Sequence, residues 1–263
     1  MKKKTPDIIY FHDELNDDFA DNGIKTKPID DNYRYINKSL LFKVNAFLLK
    51  YFFAIPVLWL VNGLFFRPKI MNKGLLKQLK HKGYYLYANH VLPFDPVVLP
   101  IKTQPSKRTV IIAGHDLFSI NGLVSWIVKH FDAIPVPNRS IEMTDNFREC
   151  LSYNIKKGHR VLIYPEAHIW PYYNGIRNFK SVSFRYPVDD KVPVVVATTT
   201  FKKRKDNRKP KPIIYLDGPF YPNESLSYHD QVNELRDRVY EAMKWQAGRE
   251  DNYAYIKYEK AND

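Results

Sequence analysis

The sequence predicts an α/β fold in which a mixed sheet is flanked by helices and preceded by an N-terminal membrane-docking helical segment. Two patterns lead to this prediction. After residue 83, short apolar runs rich in aromatic and β-branched residues alternate with helical stretches, and a long apolar segment precedes them. A chain of 263 residues can also bury a large core. We therefore divide it into a polar arm (1–38), an apolar and basic docking segment (39–82) and an α/β domain (83–263).

The composition predicts a partner that carries negative charge. Lys and Arg number 41 against 28 Asp and Glu, which gives a net charge of +13. Phosphate esters, acidic proteins, anionic lipids and nucleic acids all fit this charge. Nucleic acid is the least favoured of them, because no recognised nucleic-acid-binding motif accompanies the charge. Cys150, the one cysteine, excludes an internal disulfide, and its position in a helical pattern predicts a buried structural residue.

The arm over residues 1–38 is polar and has no apolar periodicity, so we expect it to be loosely structured. Its basic start, Met1-Lys2-Lys3-Lys4, is typical of a signal peptide. Thr5-Pro6-Asp7 follows, however, where an apolar region should begin. We therefore expect no cleavable signal.

The apolar segment Ala46–Phe66 has Lys50 as its one charged residue and is long enough for a helix to cross about 30 Å of hydrocarbon. Pro56 would interrupt that helix, and Tyr51 and Trp59 favour the headgroup level. We favour two short helices that lie in one leaflet, on the cytoplasmic face of the membrane. A single span and a buried core helix remain alternatives. Basic residues that would contact an anionic leaflet follow directly: Arg67, Lys69, Lys73, Lys77, Lys80 and Lys82.

The elements of the α/β domain are predicted from periodicity and from the residues that end each run. The predicted strands are Tyr84–Ala88, Thr109–Ala113, Ala133–Val136, Arg160–Tyr164, Val192–Thr199 and Ile213–Leu216. The predicted helices are Leu123–Lys129, Ile141–Lys157, Phe179–Tyr186 and Asp230–Trp245, the last with Ser227 as its cap.

The first of these strands carries the main candidate for catalysis. It ends at Asn89-His90, Asp95 follows five residues later, and Pro96 suits the first turn of a helix. A neutral imidazole can take a proton from an alcohol, and a carboxylate on its other nitrogen fixes the tautomer and stabilises the imidazolium. His90 and Asp95 are therefore predicted to form an oriented general base. A loop histidine bonded to the backbone is the alternative.

Two more strands end in groups that could bind a substrate. Glu166 follows the strand that ends at Tyr164, and Arg139 follows the strand that ends at Val136. In α/β sheets the ligand crevice lies at the carboxyl ends of the strands, and a guanidinium can hold a phosphate through two hydrogen bonds. We expect these groups to converge with His90, although each alone could be a surface charge.

Four ordered motifs resemble those of the glycerophospholipid acyltransferases, the 1-acyl-glycerol-3-phosphate acyltransferase type. They are Asn89-His90-(four residues)-Asp95, Ala133-Ile134-Pro135-Val136 with Arg139, Tyr164-Pro165-Glu166, and Phe179-Lys180 with Val192-Pro193-Val194-Val195. The resemblance covers roughly Tyr84 to Thr199. It implies a glycerolipid acyltransferase-like fold and transfer of a fatty acyl group from acyl-CoA or acyl carrier protein to a hydroxyl of a lysophospholipid or related acceptor. No further cofactor, metal or covalent acyl-enzyme is implied.

The same resemblance assigns roles to individual residues. It makes His90 the general base, Asp95 its orienting partner and Glu166 part of the acceptor or transition-state site. Arg139 would be a phosphate ligand. Further substrate-binding residues are expected at Asn89, Lys180 and His168. The expected partners are the membrane lipid surface and the acyl donor.

The chain departs from the family pattern at several positions. Leu92 stands where the family usually has Ser, and Ala167-His168-Ile169 replaces the usual Gly-Thr-Arg after Glu166. Val182 replaces a glycine, and Gly114-His115 replaces a lysine. Two basic phosphate ligands are therefore missing, which leaves the acceptor open, and the aromatic stretch Trp170–Tyr173 could instead line a site for an uncharged hydroxyl compound. Residues that could substitute are His115, His168, Arg177, Lys180 and Arg185.

Two other functions stay open. A metal-dependent hydrolase could use His90, Asp95, His115, Asp116, Glu166 and His168, although no compact metal-ligand motif is present. A catalytically silent lipid-binding protein would also fit the altered third motif. The basic run Lys202–Lys211 is either a solvated turn or a contact for anionic lipid or an acidic acyl carrier protein.

Overall fold

The computed structural model describes residues 7–19, 26, 28–29, 33–37, 39–54, 56–57, 60, 67–120, 130–137, 141–205 and 208–261. Its strands are β1 (Asp7–Phe11), β2 (Lys69–Met71), β3 (Tyr84–Ala88), β4 (Thr109–Ala113), β5 (Ala133–Pro135), β6 (Arg160–Ile163), β7 (Val194–Lys202), β8 (Lys211–Phe220) and β9 (Ile256–Lys260). Its helices are α1 (Leu40–Phe47), α2 (Asp95–Thr103), α3 (His115–Ser119), α4 (Ile141–Lys156), α5 (Arg185–Asp189) and α6 (Tyr228–Ala247).

The main sheet has seven strands in the order β2-β8-β7-β3-β6-β4-β5. The five strands from β7 to β5 are mutually parallel, β8 is antiparallel to β7, and β2 is parallel to β8. The parallel strands therefore bring their carboxyl ends to one edge, here called the site edge. Because β8 and β2 run the opposite way, their first residues, Lys211 and Lys69, lie toward that same edge. The prediction of a mixed sheet flanked by helices is confirmed.

Helices cover both faces of this sheet, which explains why its central strands are apolar runs rather than alternating ones. Successive residues of β3 point to opposite faces: Tyr85 packs with Phe147 of α4 and Leu235 of α6, while Leu86 packs with Leu99 of α2. The predicted cap of α6 is confirmed, since the Ser227 hydroxyl accepts a hydrogen bond from the Asp230 N–H at 3.3 Å. Cys150 lies on α4 with its side chain buried, as predicted.

Two predicted helices have different outcomes. The helix predicted over Phe179–Tyr186 is wrong in position: a 3₁₀ turn covers Val182–Phe184 and α5 covers Arg185–Asp189. The preceding backbone is held by side chains instead, because the N–H groups of Arg177 and Asn178 donate to glutamate carboxylates. The helix predicted over Leu123–Lys129 lies outside the described residues.

The prediction of a loosely structured N-terminal arm is wrong for residues 7–19. Strand β1 pairs in parallel with β9, in a separate two-stranded sheet. Residues 13–19, here called the strap, follow β1 and begin with a turn in which the Leu15 N–H donates to the Asp13 carboxylate at 2.8 Å. The polar residues that suggested a loose arm therefore form an Asx-type turn.

The docking segment carries a concentration of exposed apolar side chains. Helix α1 continues as a π-helical stretch, Leu48–Ala54. Within the described part of the chain, no helix combines the length and the apolar character needed to cross a membrane. The basic residues of the segment divide between the two edges of the sheet: Lys69 begins β2 at the site edge, two residues after Arg67, whereas Lys77, Lys80 and Lys82 precede β3 at the opposite edge. The exposed apolar residues are Leu40, Leu41, Val44, Phe47, Leu48, Phe52, Val57 and Leu60.

Candidate active site

His90 and Asp95 lie in the loop that connects β3 to α2 at the site edge. Asp95 is the first residue of α2, and its Oδ2 accepts hydrogen bonds from the N–H groups of Val91 (3.1 Å) and Leu92 (2.8 Å). These bonds tighten the loop and turn the carboxylate toward the imidazole. The Nδ1 atom of His90 lies 3.8 Å from Oδ2 of Asp95, which is beyond hydrogen-bond length. The two side chains are neighbours, as the spacing predicts, without a direct hydrogen bond.

His90 and Asp95 each have a buried polar atom that lacks a hydrogen bond. Among the described residues, neither His90 Nδ1 nor Asp95 Oδ1 has a hydrogen-bond partner. The His90 side chain is 18% exposed and that of Asp95 is 1% exposed. A buried polar atom without a partner costs about 1–3 kcal/mol, so His90 Nδ1 gains from a shift of the ring that shortens its distance to Asp95 Oδ2.

Tyr164 packs against the imidazole and was not among the predicted site residues. Its ring stacks on that of His90, with centroids 4.2 Å apart and planes inclined by 23°. Its hydroxyl is buried and lacks a hydrogen-bond partner in the described part of the chain. Burial, reinforced by the Asp95 carboxylate, raises the pKa of Tyr164 well above its ordinary value, so the phenol is neutral. The sequence signal for this residue is its position as the last residue before Pro165-Glu166.

Asn89 joins β3 to β7. Its side-chain nitrogen donates to the Thr199 carbonyl at 3.0 Å, and its side-chain oxygen accepts from the Thr199 N–H at 2.8 Å. The residue is 1% exposed. Both ends of the amide are therefore used within the protein, which fixes the backbone immediately before His90.

Glu166 links the loop after β6 to the loop after β3. One carboxylate oxygen accepts from the His90 N–H at 3.3 Å and the other accepts from the Arg177 N–H at 3.0 Å. The Arg177 guanidinium lies 3.5 Å from Glu166, and both side chains are 1% exposed. Burial raises the pKa of Glu166 above its ordinary value, and the cation beside it opposes that rise. Glu166 thus meets His90 through the backbone rather than through the imidazole.

Arg177 places a cation beside Glu166, although it lies outside the third motif. Within that motif, Ile169 stands where the usual pattern has arginine. Arg177 reaches Glu166 from a later loop and also donates to the backbone carbonyls of Glu14 and His168. Its guanidinium lies 4.9 Å from the centre of the Trp170 ring. Sequence reasoning named Arg177 as a possible phosphate ligand, but nothing in the local pattern shows that its side chain is buried against a carboxylate.

The strap covers the loop that follows Glu166. The Trp170 indole N–H donates to the Asp17 carbonyl at 2.8 Å, and the Phe19 N–H donates to the Ile169 carbonyl at 3.3 Å. His168 lies beside the same segment, with Nδ1 3.5 Å from Asp18 Oδ2. His168 is therefore next to the strap rather than beside the imidazole of His90.

The remaining candidates are dispersed. His115 follows β4 at the site edge, where its Nε2 lies 2.6 Å from the Val136 carbonyl. Lys180 and Arg185 are exposed, the latter on α5. Arg139 lies outside the described residues. The structure thus brings together His90, Asp95 and Glu166, as predicted from the strand ends.

A metal-dependent site finds no support in this geometry. Across the residues that the structure describes, no group of three or more His, Cys, Asp or Glu side chains could hold a metal ion. The six residues that such a hydrolase would need include His115, which bonds to a backbone carbonyl, and His168, which faces the strap.

The sequence and the structure both resemble known proteins. The family model described as Acyltransferase matches residues 70–199. The structure is similar to the crystal structure of the 1-acyl-sn-glycerophosphate (LPA) acyltransferase PlsC from Thermotoga maritima, with a TM-score of 0.50 and 17% sequence identity. That similarity covers 69% of this chain and 73% of the other. No curated protein matches the sequence significantly.

Proposed function

We propose that this chain is a member of the glycerophospholipid acyltransferase family and that it transfers a fatty acyl group from acyl-CoA or acyl carrier protein to a hydroxyl of a lysophospholipid or related acceptor. The observation that carries the proposal is the meeting of His90, Asp95 and Glu166 at the site edge, inside the matched range. The ends of two neighbouring parallel strands, β3 and β6, supply these groups, and the sheet topology brings them together.

In the proposed reaction His90 acts as the general base. Its Nδ1 faces Asp95, so Nε2 is the nitrogen left to take the proton of the acceptor hydroxyl. The acceptor oxygen forms a bond to the thioester carbonyl carbon, and the carbon–sulfur bond breaks. The thiolate then leaves with the proton that the imidazolium returns. Asp95 stabilises the imidazolium, and Glu166 holds the His90 backbone in place.

The first prediction tests this mechanism. His90→Ala should reduce acyl transfer by about 10²- to 10⁴-fold, which is typical of a lost general base, and Asp95→Asn should also impair it. Turnover of an acyl thioester against a panel of lysophospholipids and alcohols is the measurement, with circular dichroism to verify folding. His115→Ala is a matched control, because His115 also follows a strand at the site edge but bonds to a backbone carbonyl.

Normal turnover by folded His90→Ala protein would exclude the mechanism. A wild-type protein that is folded, binds lipid and turns over none of the panel would instead favour a catalytically silent lipid-binding protein.

The second prediction concerns the acceptor. We propose that Arg139 binds an acceptor phosphate, because in the sequence it comes shortly after β5 and belongs to the motif where the family pattern has a phosphate ligand. Arg139→Ala should then raise the KM for a phosphorylated acceptor by an amount equivalent to about 1.5–3 kcal/mol, and Arg139→Lys should recover only part. The measurement is the kinetics of each variant with matched phosphorylated and dephosphorylated acceptors. An equal response to both would favour an uncharged acceptor beside Trp170–Tyr173.

We further propose that the docking segment holds the enzyme on the cytoplasmic face of the cell membrane as a monotopic protein. Support comes from its exposed side chains, among which Leu40 is 76% and Phe52 is 72% exposed. Exposed apolar residues gathered in one segment are typical of an interface with lipid or protein.

A further inference from the structure

The basic run between β7 and β8, described over residues 202–205 and 208–211 and here called the basic hairpin loop, lies at the site edge. Strand β7 is parallel to β3 and continues beyond Ala197, the partner of Ala88 at the end of β3, as far as Lys202, which pairs with Lys211 of β8. The exposed lysines of this loop are Lys202, Lys203, Lys205 and Lys209.

Contacts with aromatic rings connect the basic hairpin loop to the loop that carries His90. The Lys209 ammonium lies 5.7 Å from the centre of the Tyr172 ring, and the Tyr172 N–H donates to the carbonyl of Val91, the residue after His90, at 2.8 Å. On the other side of the loop, the Lys203 ammonium lies 5.3 Å from the centre of the Tyr253 ring. Cation–π contacts of this kind keep the charges of the loop close to the loop that carries His90.

The docking segment returns to the sheet at the same level. Lys69, the first residue of β2, pairs with Ile213 of β8, which in turn pairs with Thr200 of β7. Thr200 lies three positions beyond Ala197, which pairs with Ala88 at the end of β3. Lys69 is therefore level with the loop that carries His90. The chain therefore passes from its apolar segment into the sheet beside the basic hairpin loop.

The site edge also exposes apolar side chains. Phe94, which directly precedes Asp95, is 52% exposed, and Val136 at the end of β5 is 44% exposed. A surface that combines cations with exposed apolar groups fits a lipid interface, where anionic headgroups lie above the acyl chains. An acidic carrier protein would also match the charge, but it would leave the apolar groups and the adjoining docking segment unexplained.

We propose that the basic hairpin loop binds anionic phospholipid headgroups and so turns the site edge, with His90, toward the bilayer. This inference rests on the proposed docking of residues 46–66, to which it adds a second contact with the bilayer at the site edge. The apolar segment supplies binding to any bilayer, and the basic hairpin loop supplies the preference for an anionic one.

The test compares two full-length variants with equal charge changes. In the loop variant Lys202, Lys203, Lys205 and Lys209 are replaced by Gln. In the control variant four exposed residues that precede β4, β6 or β7 at the opposite edge of the sheet are replaced by Gln: Arg108, Lys156, Lys157 and Lys191. Binding is measured with vesicles of phosphatidylcholine alone and of phosphatidylcholine with phosphatidylglycerol.

Wild type and the control variant should bind the anionic vesicles more tightly than the zwitterionic ones. The loop variant should lose roughly tenfold or more of that preference, since each lysine near an anionic surface contributes to binding, while its binding to zwitterionic vesicles is retained. An equal loss in both variants, or an unchanged loop variant, would overturn the proposal. A loop variant that binds vesicles normally but has a raised KM for acyl carrier protein would assign the loop to that protein.

Failure of the inference and failure of the proposed function give different results. Vesicle binding does not depend on turnover, so an inactive wild type with a loop-dependent anionic preference would keep the inference and reject the acyltransferase mechanism. A wild type that binds neither kind of vesicle would reject the docking of residues 46–66 itself.

Discussion

At the level of single residues, Tyr164 stacks its ring on the imidazole of His90 and carries a buried hydroxyl. The third prediction is that Tyr164→Phe keeps the stack on His90 and removes an oxygen that has no partner among the described residues. The variant should retain its turnover and gain about 1 kcal/mol or less in the free energy of unfolding. Urea unfolding and turnover are the measurements.

Tyr87→Phe is the matched control for this change. Tyr87 stacks on Phe184 in the same way, but its hydroxyl donates to the Ser183 carbonyl at 2.8 Å. Its loss should reduce the free energy of unfolding by about 1 kcal/mol, because a carbonyl is left unpaired. If both variants lost stability equally, the Tyr164 hydroxyl would have a hydrogen-bond partner.

The fourth prediction concerns the buried pair of Glu166 and Arg177. Arg177→Met leaves the carboxylate buried without its cation and should lower the free energy of unfolding by about 3–5 kcal/mol. Adding Glu166→Gln to that variant should recover part of the loss, because the remaining group is neutral. Chemical unfolding of both single variants and the double variant gives the coupling energy. Additive effects of the two changes would show that the ion pair contributes nothing specific.

At the level of elements, helix α2 is held at both ends. Its first residue, Asp95, bonds to the loop after β3. At its last turn the buried Arg160 guanidinium donates to the carbonyls of Pro100 (2.9 Å) and Gln104 (3.3 Å). A cation suits the negative end of the helix dipole. The position of the Asp95 carboxylate therefore depends on packing at both edges of the sheet.

The docking segment gives the fifth prediction. Burial of exposed apolar residues such as Phe47 and Phe52 in a bilayer contributes about 1.5–3 kcal/mol each, which should exceed what salt can screen from the basic flank. High salt alone should therefore leave the protein on the membrane, while detergent releases it. Fractionation of membranes washed with concentrated salt is the measurement. Quantitative release by salt would contradict apolar docking, as would an active site accessible only from outside the cell.

The sequence predicted the elements whose patterns are local. The apolar run of β3 and the polar residues after it were enough to bring His90 and Asp95 together, because five residues allow few arrangements. The position of Glu166 followed from the parallel sheet. Strands β1 and β9 were missed, since each is short, half exposed and paired only with the other. The contact between Arg177 and Glu166 was missed because it joins two irregular loops, for which periodicity gives no signal.

At the level of the whole molecule, the pairing of β1 with β9 joins segments near the two ends of the 263-residue sequence. A ribosome releases β1 before β9, so β1 has no partner strand until residues 256–260 have emerged. The strap that bonds to Trp170 and Arg177 follows β1, so the pairing that holds the start of the strap forms only after every strand of the main sheet has been synthesised. A nascent chain that lacks β9 would not yet have the strap held at its start beside the loop that follows Glu166.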